Sequence, residues 1–457
     1  MKIAGKNISV TLAVILLISM MPMSVFAEGV ITYLDDPDVV ITTTIDPQPD
    51  EESVASPGFD VKVDNWGGSG TEDDPFTIHN RVGMENLSML SARGYSFSGV
   101  YFALDGDFSM ESVVIGAQYS TIGSEENPFA GVFDGRGHTI SGYSLSDSGN
   151  RVGLFRVVTG TIKNLNLSGS VSATGSAAVG GIVGKNCGTL RNCTFSGTVS
   201  GTANDTYAGG IAGHNEGKIY YCTNYAQVDN LCGKYTGGVA GQSMFGTVKN
   251  CSNEGEVIGK NSVGGIVGYT KRVISGCSNT GEITGKTHVG GIAGELGSDI
   301  SDCKNSGKLF GVTNLGGIVG TVYAGDIDHC TNSGELDGGT GDTFSNWGGI
   351  VGNFSCYAHT IRNCSNSGVL FSDEHRVYCA DNFGGIAGFV EDGNTIASCC
   401  NLGTICCSVD GGGIFGDGRG AEIKNCFNAG RLDISDGKYD TRETAAAVSA
   451  VSRRNVR

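Results

Sequence analysis

Proline is scarce in this chain, and none occurs after Pro128. The 457 residues include only 7 prolines but 75 glycines. Abundant glycine with so little proline excludes a collagen-like helix and a proline-rich linker. Because proline removes a backbone donor from a sheet, its absence from the long C-terminal part suits an uninterrupted ladder of strands.

Basic residues are also few. The chain has 30 Lys and Arg against 47 Asp and Glu, a formal net charge of −17. No basic stretch is interleaved with aromatic residues, so the electrostatic footprint of a nucleic-acid-binding protein is missing. Anionic membrane surfaces are equally poor partners. A hydrophobic content of 39% argues against a disordered chain.

Long apolar runs are missing after the N-terminus. The run from Ile8 to Met21 follows Lys2 and Lys6 and is shorter than the ~20 residues that span a bilayer. Small residues precede the expected cleavage point after Ala27. Residues 1–27 are therefore predicted to be a secretory signal peptide, and the mature chain is expected to be extracellular or on the bacterial cell surface, without membrane insertion.

Composition divides the remaining chain into four segments. Residues 28–60 contain nine acidic residues and no Lys or Arg. This composition cannot bury a core, which predicts an acidic disordered linker. Residues 61–152 are predicted to form an N-terminal cap and the first coils, residues 153–435 a repeat region, and residues 436–457 a C-terminal tail or cap.

A helical pattern runs over residues 81–92. Asn80 is a suitable N-cap, and Val82, Leu87 and Leu90 lie on one rough apolar face. A stack of strands needs a covered end, and this helix is well placed to cover it.

A Gly-Gly-[Ile/Val] motif recurs through the repeat region. Gly153-Leu154-Phe155 looks like a degenerate copy before the regular ones. The third residue of each regular copy is Ile182, Ile211, Val239, Ile266, Ile292, Ile318, Ile350, Ile386 or Ile414. A near-fixed period of this kind indicates a repeat architecture.

A second motif, Cys-x-Asn, follows each copy of the first. Eight of nine copies carry the asparagine, and Cys193-Thr-Phe195 departs from the pattern. Each repeat contains three β-like segments, the first of them Gly-Gly-Ile-Val-Gly, separated by Asn and Gly turns, and no helical pattern. A short unit of this kind buries its apolar side only by stacking on its neighbours.

These features predict an all-β fold. We expect a right-handed parallel β-helix (solenoid) with a short N-terminal capping helix, about eleven coils and roughly 50 Å long. Ile, Val and Leu would line its core, Asn would form amide ladders at turns, and Gly would occupy corners.

The Gly-Gly-Ile-Val-Gly and Asn-Cys-x-Asn-x-Gly-x-Val patterns resemble the GLUG repeat of bacterial secreted and surface proteins. The resemblance covers about residues 64–435 and implies a secreted or surface β-helix. Similar repeats accompany immunoglobulin-A metalloproteases. Their zinc motif, His-Glu-x-x-His, is absent from all 7 His positions of this chain, so protease activity is not carried over.

Nine of the 16 cysteines occupy one repeat register. Neighbours in adjacent coils would have parallel Cβ directions about 4.8 Å apart, which suits a disulfide poorly. We predict an inward column of reduced thiols. A metal-binding column is the alternative, although paired His or Cys-x-x-Cys spacing is missing. No metal or cofactor is predicted. The nine are Cys193, Cys222, Cys251, Cys277, Cys303, Cys330, Cys364, Cys399 and Cys426.

Two consecutive coils carry the longest connections at one corner. The stretch before the next Gly-Gly-Ile is 14 residues from Leu336 to Ile350 and 16 from Leu370 to Ile386, against nine in four other coils. Insertions at one corner leave the core unchanged and often carry function. The candidate binding residues are Asp342, Phe344, Trp347, Asp373, Glu374, His375, Arg376, Tyr378, Asp381 and Phe383.

Aromatic rings beside charges suit contact with host or microbial glycans or surface proteins. The alternative is a pair of tolerated surface insertions with the rings folded onto the coil. The sequence therefore predicts a non-catalytic adhesion, binding or spacer module.

An enzyme is the competing hypothesis, because parallel β-helices also host polysaccharide lyases and glycosidases. Glycoside hydrolysis needs two facing carboxylates, which Asp373, Glu374 and Asp381 at the 338–383 corner would supply only by accident of loop shape. His138 is interpreted as a turn residue with no carboxylate or nucleophile in register. No catalytic residue is predicted.

Overall fold

The structure is a computed structural model with two compact units, Met1–Trp66 and Gly67–Arg457. In the first unit, Thr42–Thr43 pairs antiparallel with Val61–Lys62. The predicted signal peptide, the C-terminal tail and most of the predicted linker lie outside the described residues. The described residues are 42–43, 61–63, 66–111, 114–115, 121–175, 177–338, 344–371, 380–407, 411–418 and 420–434.

The second unit is a parallel β-solenoid of about 12 turns. Each strand pairs in parallel with the matching strand of the next coil, as Val267 pairs with Ala293 and Ala293 with Val319. The strands form four sheets that run along the solenoid, with sheets 1 and 2 beginning at Arg151 and Phe155. The predicted all-β solenoid is confirmed.

The strands of the four sheets have the following bounds, and a further strand, Trp66–Gly67, spans the boundary between the units. Sheet 1 contains Arg151–Val152, Ala178–Gly180, Tyr207–Gly209, Tyr235–Gly237, Asn261–Gly264, Thr287–Gly290, Thr313–Gly316, Phe344–Gly348, Ala380–Gly384 and Gly411–Gly412. Sheet 2 contains Phe155–Val158, Val183–Asn186, Ala212–Asn215, Ala240–Ser243, Val267–Thr270, Ala293–Gly297, Val319–Ala324, Val351–Phe354, Ala387–Val390 and Phe415–Gly418.

The other two sheets complete each coil. Sheet 3 contains Phe76–Ile78, Tyr101–Leu104, Val132–Asp134, Thr161–Lys163, Thr189–Arg191, Lys218–Tyr220, Thr247–Lys249, Ile274–Ser275, Ile300–Ser301, Ile327–Asp328, Thr360–Arg362, Thr395–Ala397 and Glu422–Lys424. Sheet 4 contains Phe108–Ser109, Val114–Ile115, Thr139–Asp147, Asn166–Ala173, Thr194–Gly201, Thr223–Asn224, Gln227–Asn230, Ser252–Asn253, Val257–Gly259, Ser278–Asn279, Ile283–Thr284, Lys304–Asn305, Leu309–Phe310, Thr331–Asn332, Leu336–Asp337, Ser365–Asn366, Leu370–Phe371, Cys400–Asn401, Ile405–Cys407, Phe427–Asn428 and Leu432–Ile434.

The chain turns sharply at each Gly-Gly motif, between sheet 1 and sheet 2. A β-carbon on Gly237 would lie 2.1 Å from the carbonyl oxygen of Ala240, so only glycine fits the bend. The prediction of one β-segment through Gly-Gly-Ile-Val-Gly is therefore wrong, because the motif joins two strands. The Cys-x-Asn motif adds another short strand, and a full repeat has five strands rather than three.

The predicted amide ladder lies in sheet 4, where eight asparagines stack from Asn224 to Asn428. Each Nδ2 donates to the Oδ1 of the asparagine in the next coil over 2.8–2.9 Å. The second Nδ2 proton goes to the carbonyl two residues ahead, as from Asn305 to Gly307 over 3.1 Å. The ladder thus satisfies buried amides that would otherwise oppose folding.

Strand length in sheet 4 changes where this ladder begins. Strands Asn166–Ala173 and Thr194–Gly201 run unbroken, with Phe195 in the place that asparagine takes later. From Asn224 onward the side chain donates to the carbonyl of the residue two ahead, and in five of the eight asparagines, Asn224 among them, it also accepts from the N–H of that residue. This local bonding competes with the sheet ladder and divides each later strand in two.

The nine repeat cysteines form the expected column, in which eight are buried and Cys426, in the last described coil, is half-buried. The backbone N–H of Cys251 points at the Sγ of Cys277 over 3.4 Å, and Cys277 relates to Cys303 in the same way. Burial raises the pKa of the Cys193 and Cys222 thiols well above their ordinary value. These thiols therefore pack as small neutral hydrophobes.

The predicted helix spans Arg81–Ala92, and Asn80 caps it by accepting from the Gly83 N–H over 3.2 Å. Leu87 is fully buried, as predicted, whereas Val82 is exposed. The Ser91 hydroxyl accepts a hydrogen bond from the Gly123 N–H over 2.6 Å, which ties the helix to the first coils.

Candidate binding surface

Most of the predicted corner residues lie where the structure gives no description. Asp342, Asp373, Glu374, His375, Arg376 and Tyr378 fall outside the described residues, and only the backbone of Phe344 and Asp381 is described, in sheet 1 strands. Binding at this corner stays a prediction, as does the competing carboxylate pair.

Trp347 and Phe383 are fully buried, so the prediction that their rings face a ligand is wrong. They occupy inward positions of sheet 1, pair in register, and stack with ring centroids 4.8 Å apart. The Trp347 indole N–H donates to the Val312 carbonyl over 3.0 Å. The reason is strand alternation: the residue directly before Gly-Gly points inward in every coil, where Leu315 stands one coil earlier.

His138 does have a carboxylate partner, contrary to the sequence-based interpretation. Its Nδ1 lies 3.0 Å from Asp107 Oδ1, and the Thr139 N–H donates to the same oxygen over 2.9 Å. These contacts lower the pKa of Asp107. The pair is exposed, and its bonding to the backbone fits a turn, so it closes a connection between two coils.

A continuous strip of side chains follows the corner between sheets 1 and 2. We call it the strip and define it by thirteen residues in two columns. The sheet 1 column is Tyr207, Tyr235, Ser262, His288, Asn314, Asn346 and Asn382; the sheet 2 column is His214, Gln242, Tyr269, Glu295, Thr321 and Asn353. Nine of them are half-buried, and Gln242, Ser262, Asn314 and Thr321 are buried.

Aromatic rings form the N-terminal half of the strip. Tyr207 and Tyr235 lie 5.3 Å apart between ring centroids, and Tyr235 stacks on Tyr269 at 5.0 Å with an interplanar angle of 16°. His214 meets Tyr207 edge-on at 6.2 Å. The Lys234 ammonium sits 5.2 Å from the Tyr235 ring centroid. The rings are half-buried, which leaves part of each ring open to a ligand.

Hydrogen bonds connect the C-terminal half of the strip. Asn382 donates to Asn346, and Asn346 donates to Asn314, each over 2.8 Å. Asn314 Nδ2 approaches His288 Nδ1 at 3.2 Å. His288 Nδ1 in turn lies 2.7 Å from the Thr321 hydroxyl. The amide chain holds these side chains in fixed orientations along several coils.

Between the two halves, Glu295 accepts a hydrogen bond from the Ser262 hydroxyl. Burial, with Glu295 nearby, raises the pKa of Tyr323 to about 12. Burial also lowers the pKa of His288 and His214, which keeps both imidazoles neutral near pH 7. The strip therefore carries little formal charge in an acidic chain and presents rings, amides and hydroxyls.

The repeats can now be compared with known proteins. The model of the GLUG motif matches residues 175–200, 233–258 and 311–336. The chain carries GLUG repeats. Each matched segment begins before a Gly-Gly motif and extends past the repeat cysteine, and the second and third segments also contain the asparagine of the amide ladder.

Two known proteins are similar to this GLUG chain. A protein described as a Gly-rich membrane protein from Evansella cellulosilytica is 32% identical over 129 residues, which cover 27% of this chain and 14% of that protein. The chain thus spans a small part of that relative's length. A crystal structure described as an immunoglobulin A1 protease from Bacteroides ovatus aligns with a TM-score of 0.45 and 23% identity, covering 64% of this chain and 85% of the other.

The GLUG pattern itself contains the signal that locates the strip. One strip residue stands two positions before the first glycine of Gly-Gly, and the other stands three positions after the Ile or Val. Sequence reasoning missed them because these positions vary from coil to coil: Tyr, Tyr, Ser, His and Asn follow each other in the first column. The residues that recur from coil to coil build the scaffold, and the residues that change beside them form the strip.

Two further findings concern chemistry and membranes. Within the described ranges, no group of three or more His, Cys, Asp or Glu side chains is placed to hold a metal ion. No helix in this part of the chain is long and apolar enough to cross a membrane.

Proposed function

We propose that this GLUG-repeat protein is a secreted or cell-surface module that binds an extended ligand, a glycan or a surface protein, along the strip, without catalysing a reaction. The observation that carries the proposal is the stack of Tyr207, Tyr235 and Tyr269, continued by an ordered row of amides. Rings stacked along a solenoid offer a long contact area with little entropy to lose.

The chemistry of the strip supports binding rather than hydrolysis. Glu295 is the single carboxylate among the thirteen strip residues, and glycoside hydrolysis requires two facing carboxylates. Its oxygen is already engaged by Ser262. Amides, hydroxyls and ring faces instead provide the contacts that orient a sugar or a peptide.

The long connections would extend this surface. Asn346 and Asn382 stand on the sheet 1 strands that follow residues 339–343 and 372–379, and both belong to the strip. Charged residues of these connections, such as Asp373 and Arg376, would then add specificity at the C-terminal end of the same ligand path.

The test is binding of the full-length secreted chain to an array of host and microbial glycans and matrix proteins. A Tyr235→Ala variant is expected to lose about fivefold or more in affinity, because it removes the central ring of the stack. Tyr225→Ala is the matched control, since Tyr225 is 50% exposed but lies outside the strip. A third variant with residues 339–343 and 372–379 shortened tests the corner while keeping Trp347 and Phe383 in the core.

Retained binding by Tyr235→Ala, or equal losses in both tyrosine variants, would contradict the strip as the binding surface. No binding by the wild-type chain would favour a passive spacer.

A further inference from the structure

A second surface lies on sheet 3, whereas the strip lies on sheets 1 and 2. It is an open groove of about 460 Å³ lined by Lys163, Asn164, Arg191, Asn192 and Tyr221. We call it the basic groove. The two cations and the ring come from three successive coils, because Lys163 pairs in register with Arg191 and Arg191 with Tyr220.

Backbone geometry presents the groove residues to solvent. Asn164, Asn192 and Tyr221 each have a left-handed φ of 52 to 57° at the corner where sheet 3 ends. This conformation turns the chain into the buried residue that follows, which is Leu165, Cys193 and Cys222 in turn. The Tyr221 side chain is consequently 54% exposed.

An amide ladder stops inside the groove. Asn164 donates to Asp134 over 2.9 Å, and Asn192 donates to Asn164 over 2.8 Å. Tyr221 then takes the next place in the column, so the Asn192 Oδ1 accepts no hydrogen bond from the described residues. The groove therefore combines a ring face with an acceptor that faces outward.

This region is locally basic, although the chain as a whole is acidic. Lys163 pairs with Asp134 at 3.2 Å. Arg191, and Lys218 and Lys249 on the same sheet, form no ion pair within the described part of the chain. None of the five lining residues is acidic.

We propose that the basic groove binds an acidic polysaccharide, with Arg191 holding a carboxylate or sulfate group and the Tyr221 ring lying on a sugar face. A guanidinium binds both oxyanions through paired N–H donors. A phenol ring supplies apolar area for the C–H face of a pyranose. Lys218 and Lys249 would bind further acidic sugars of the same polysaccharide. This site goes beyond the proposed function, because it lies apart from the strip and uses charge rather than stacked rings and amides.

The test measures binding of the full-length chain to immobilised dextran sulfate and polygalacturonate, with uncharged dextran as the control. Both acidic polymers are expected to bind, more weakly as ionic strength rises. Dextran sulfate and polygalacturonate distinguish sulfate from carboxylate as the preferred group.

Two variants address the groove directly. Arg191→Gln is expected to weaken binding about fivefold or more, and Tyr221→Asn by a similar factor. Asn192 and Asn250 occupy the neighbouring places in this column, with φ values of 54 and 53°. Tyr221→Asn therefore keeps the fold while removing the ring.

Lys424→Gln is the matched control. Lys424 stands in the same outward column, paired in register with Ala397, but in the last described coil and beside Glu422 at 2.8 Å. Equal weakening by Lys424→Gln and Arg191→Gln would overturn the proposal, as would equal binding of uncharged dextran or unchanged binding by Tyr221→Asn. Loss of binding in Tyr235→Ala but not in Arg191→Gln would overturn the groove and leave the strip standing.

Discussion

The side-chain amide of Asn253 fills the space beside Gly238. A β-carbon on Gly238 would lie 2.3 Å from the Asn253 side chain and 2.2 Å from the carbonyl oxygen of Gly265. The two motifs of the repeat are therefore parts of one contact: the second glycine of Gly-Gly makes room for the asparagine of Cys-x-Asn. The same contact occurs at Gly210, Gly265, Gly291, Gly317, Gly349 and Gly385.

Gly238→Ala is expected to lower the free energy of unfolding by about 1–3 kcal/mol, because the new methyl group overpacks both neighbours. Urea denaturation followed by circular dichroism measures the change. Gly106→Ala is the control, since nothing lies within 4 Å of a β-carbon there; it is expected to stay within about 0.5 kcal/mol of wild type. Equal effects of the two substitutions would contradict the contact.

Asn305→Ala is expected to cost about 2–4 kcal/mol of unfolding free energy, because it leaves buried partners in two coils unsatisfied. Asn279 loses its acceptor and Asn332 loses its donor, each bond being 2.8 Å long. Asn428→Ala, at the end of the ladder, breaks only one ladder bond and is expected to cost about 1 kcal/mol. A larger loss at position 428 than at 305 would show that the ladder does not carry stability.

Thiol labelling of the native chain is expected to modify Cys232 first. Cys232 is exposed, whereas Cys193 and Cys222 are fully buried with raised pKa values. The eight buried thiols of the column are shielded from the reagent and should react only after unfolding. Mass spectrometry after iodoacetamide treatment, with and without urea, gives the pattern. Labelling of the column at the rate of Cys232 in the folded chain would contradict an inward column.

Stability is expected to fall as the pH drops below about 6.5, in part through His288. Burial lowers its pKa in the folded chain from the ordinary 6.5, while Glu295 opposes the shift. The unfolded chain then binds more protons in the acidic window, so this contribution is fully present above pH 6.5 and is lost below it.

His288→Asn should make the pH dependence of unfolding shallower by up to one proton, while His214 keeps its own contribution. The substitution places an amide in a column where Asn314 already has the same left-handed backbone, with φ values of 53 and 55°. Denaturation midpoints between pH 5 and 8 measure the slope. An unchanged slope would show that His288 is not the titrating group.

The repetitive part of the fold could be predicted from the sequence because its constraints recur. Cys251 and Asn253 meet the same neighbours as Cys277 and Asn279, so spacing alone indicates stacking. The break between sheets 1 and 2 was not predicted, because a Gly-Gly pair suits both a strand and a bend. The bend is evident only in the structure, where a β-carbon on Gly237 would have no room beside the Ala240 carbonyl oxygen.

The binding surfaces were harder to predict, because they depend on residues from different coils. Tyr235 and Tyr269 are 34 positions apart in the chain, yet their rings stack. Lys163 and Arg191 form no basic run in the sequence, and register alone brings them together. Because Trp347 follows a long connection, its ring was expected at the surface. Strand alternation instead directs it inward.

The most direct test of the account is hydroxyl-radical footprinting of the tyrosines, with and without the glycan or matrix protein that the array identifies. The account predicts that the ligand protects Tyr207, Tyr235 and Tyr269 from oxidation and leaves Tyr225 unchanged. Oxidation of Tyr235 and Tyr269 that is the same with and without bound ligand would contradict the strip as the binding surface.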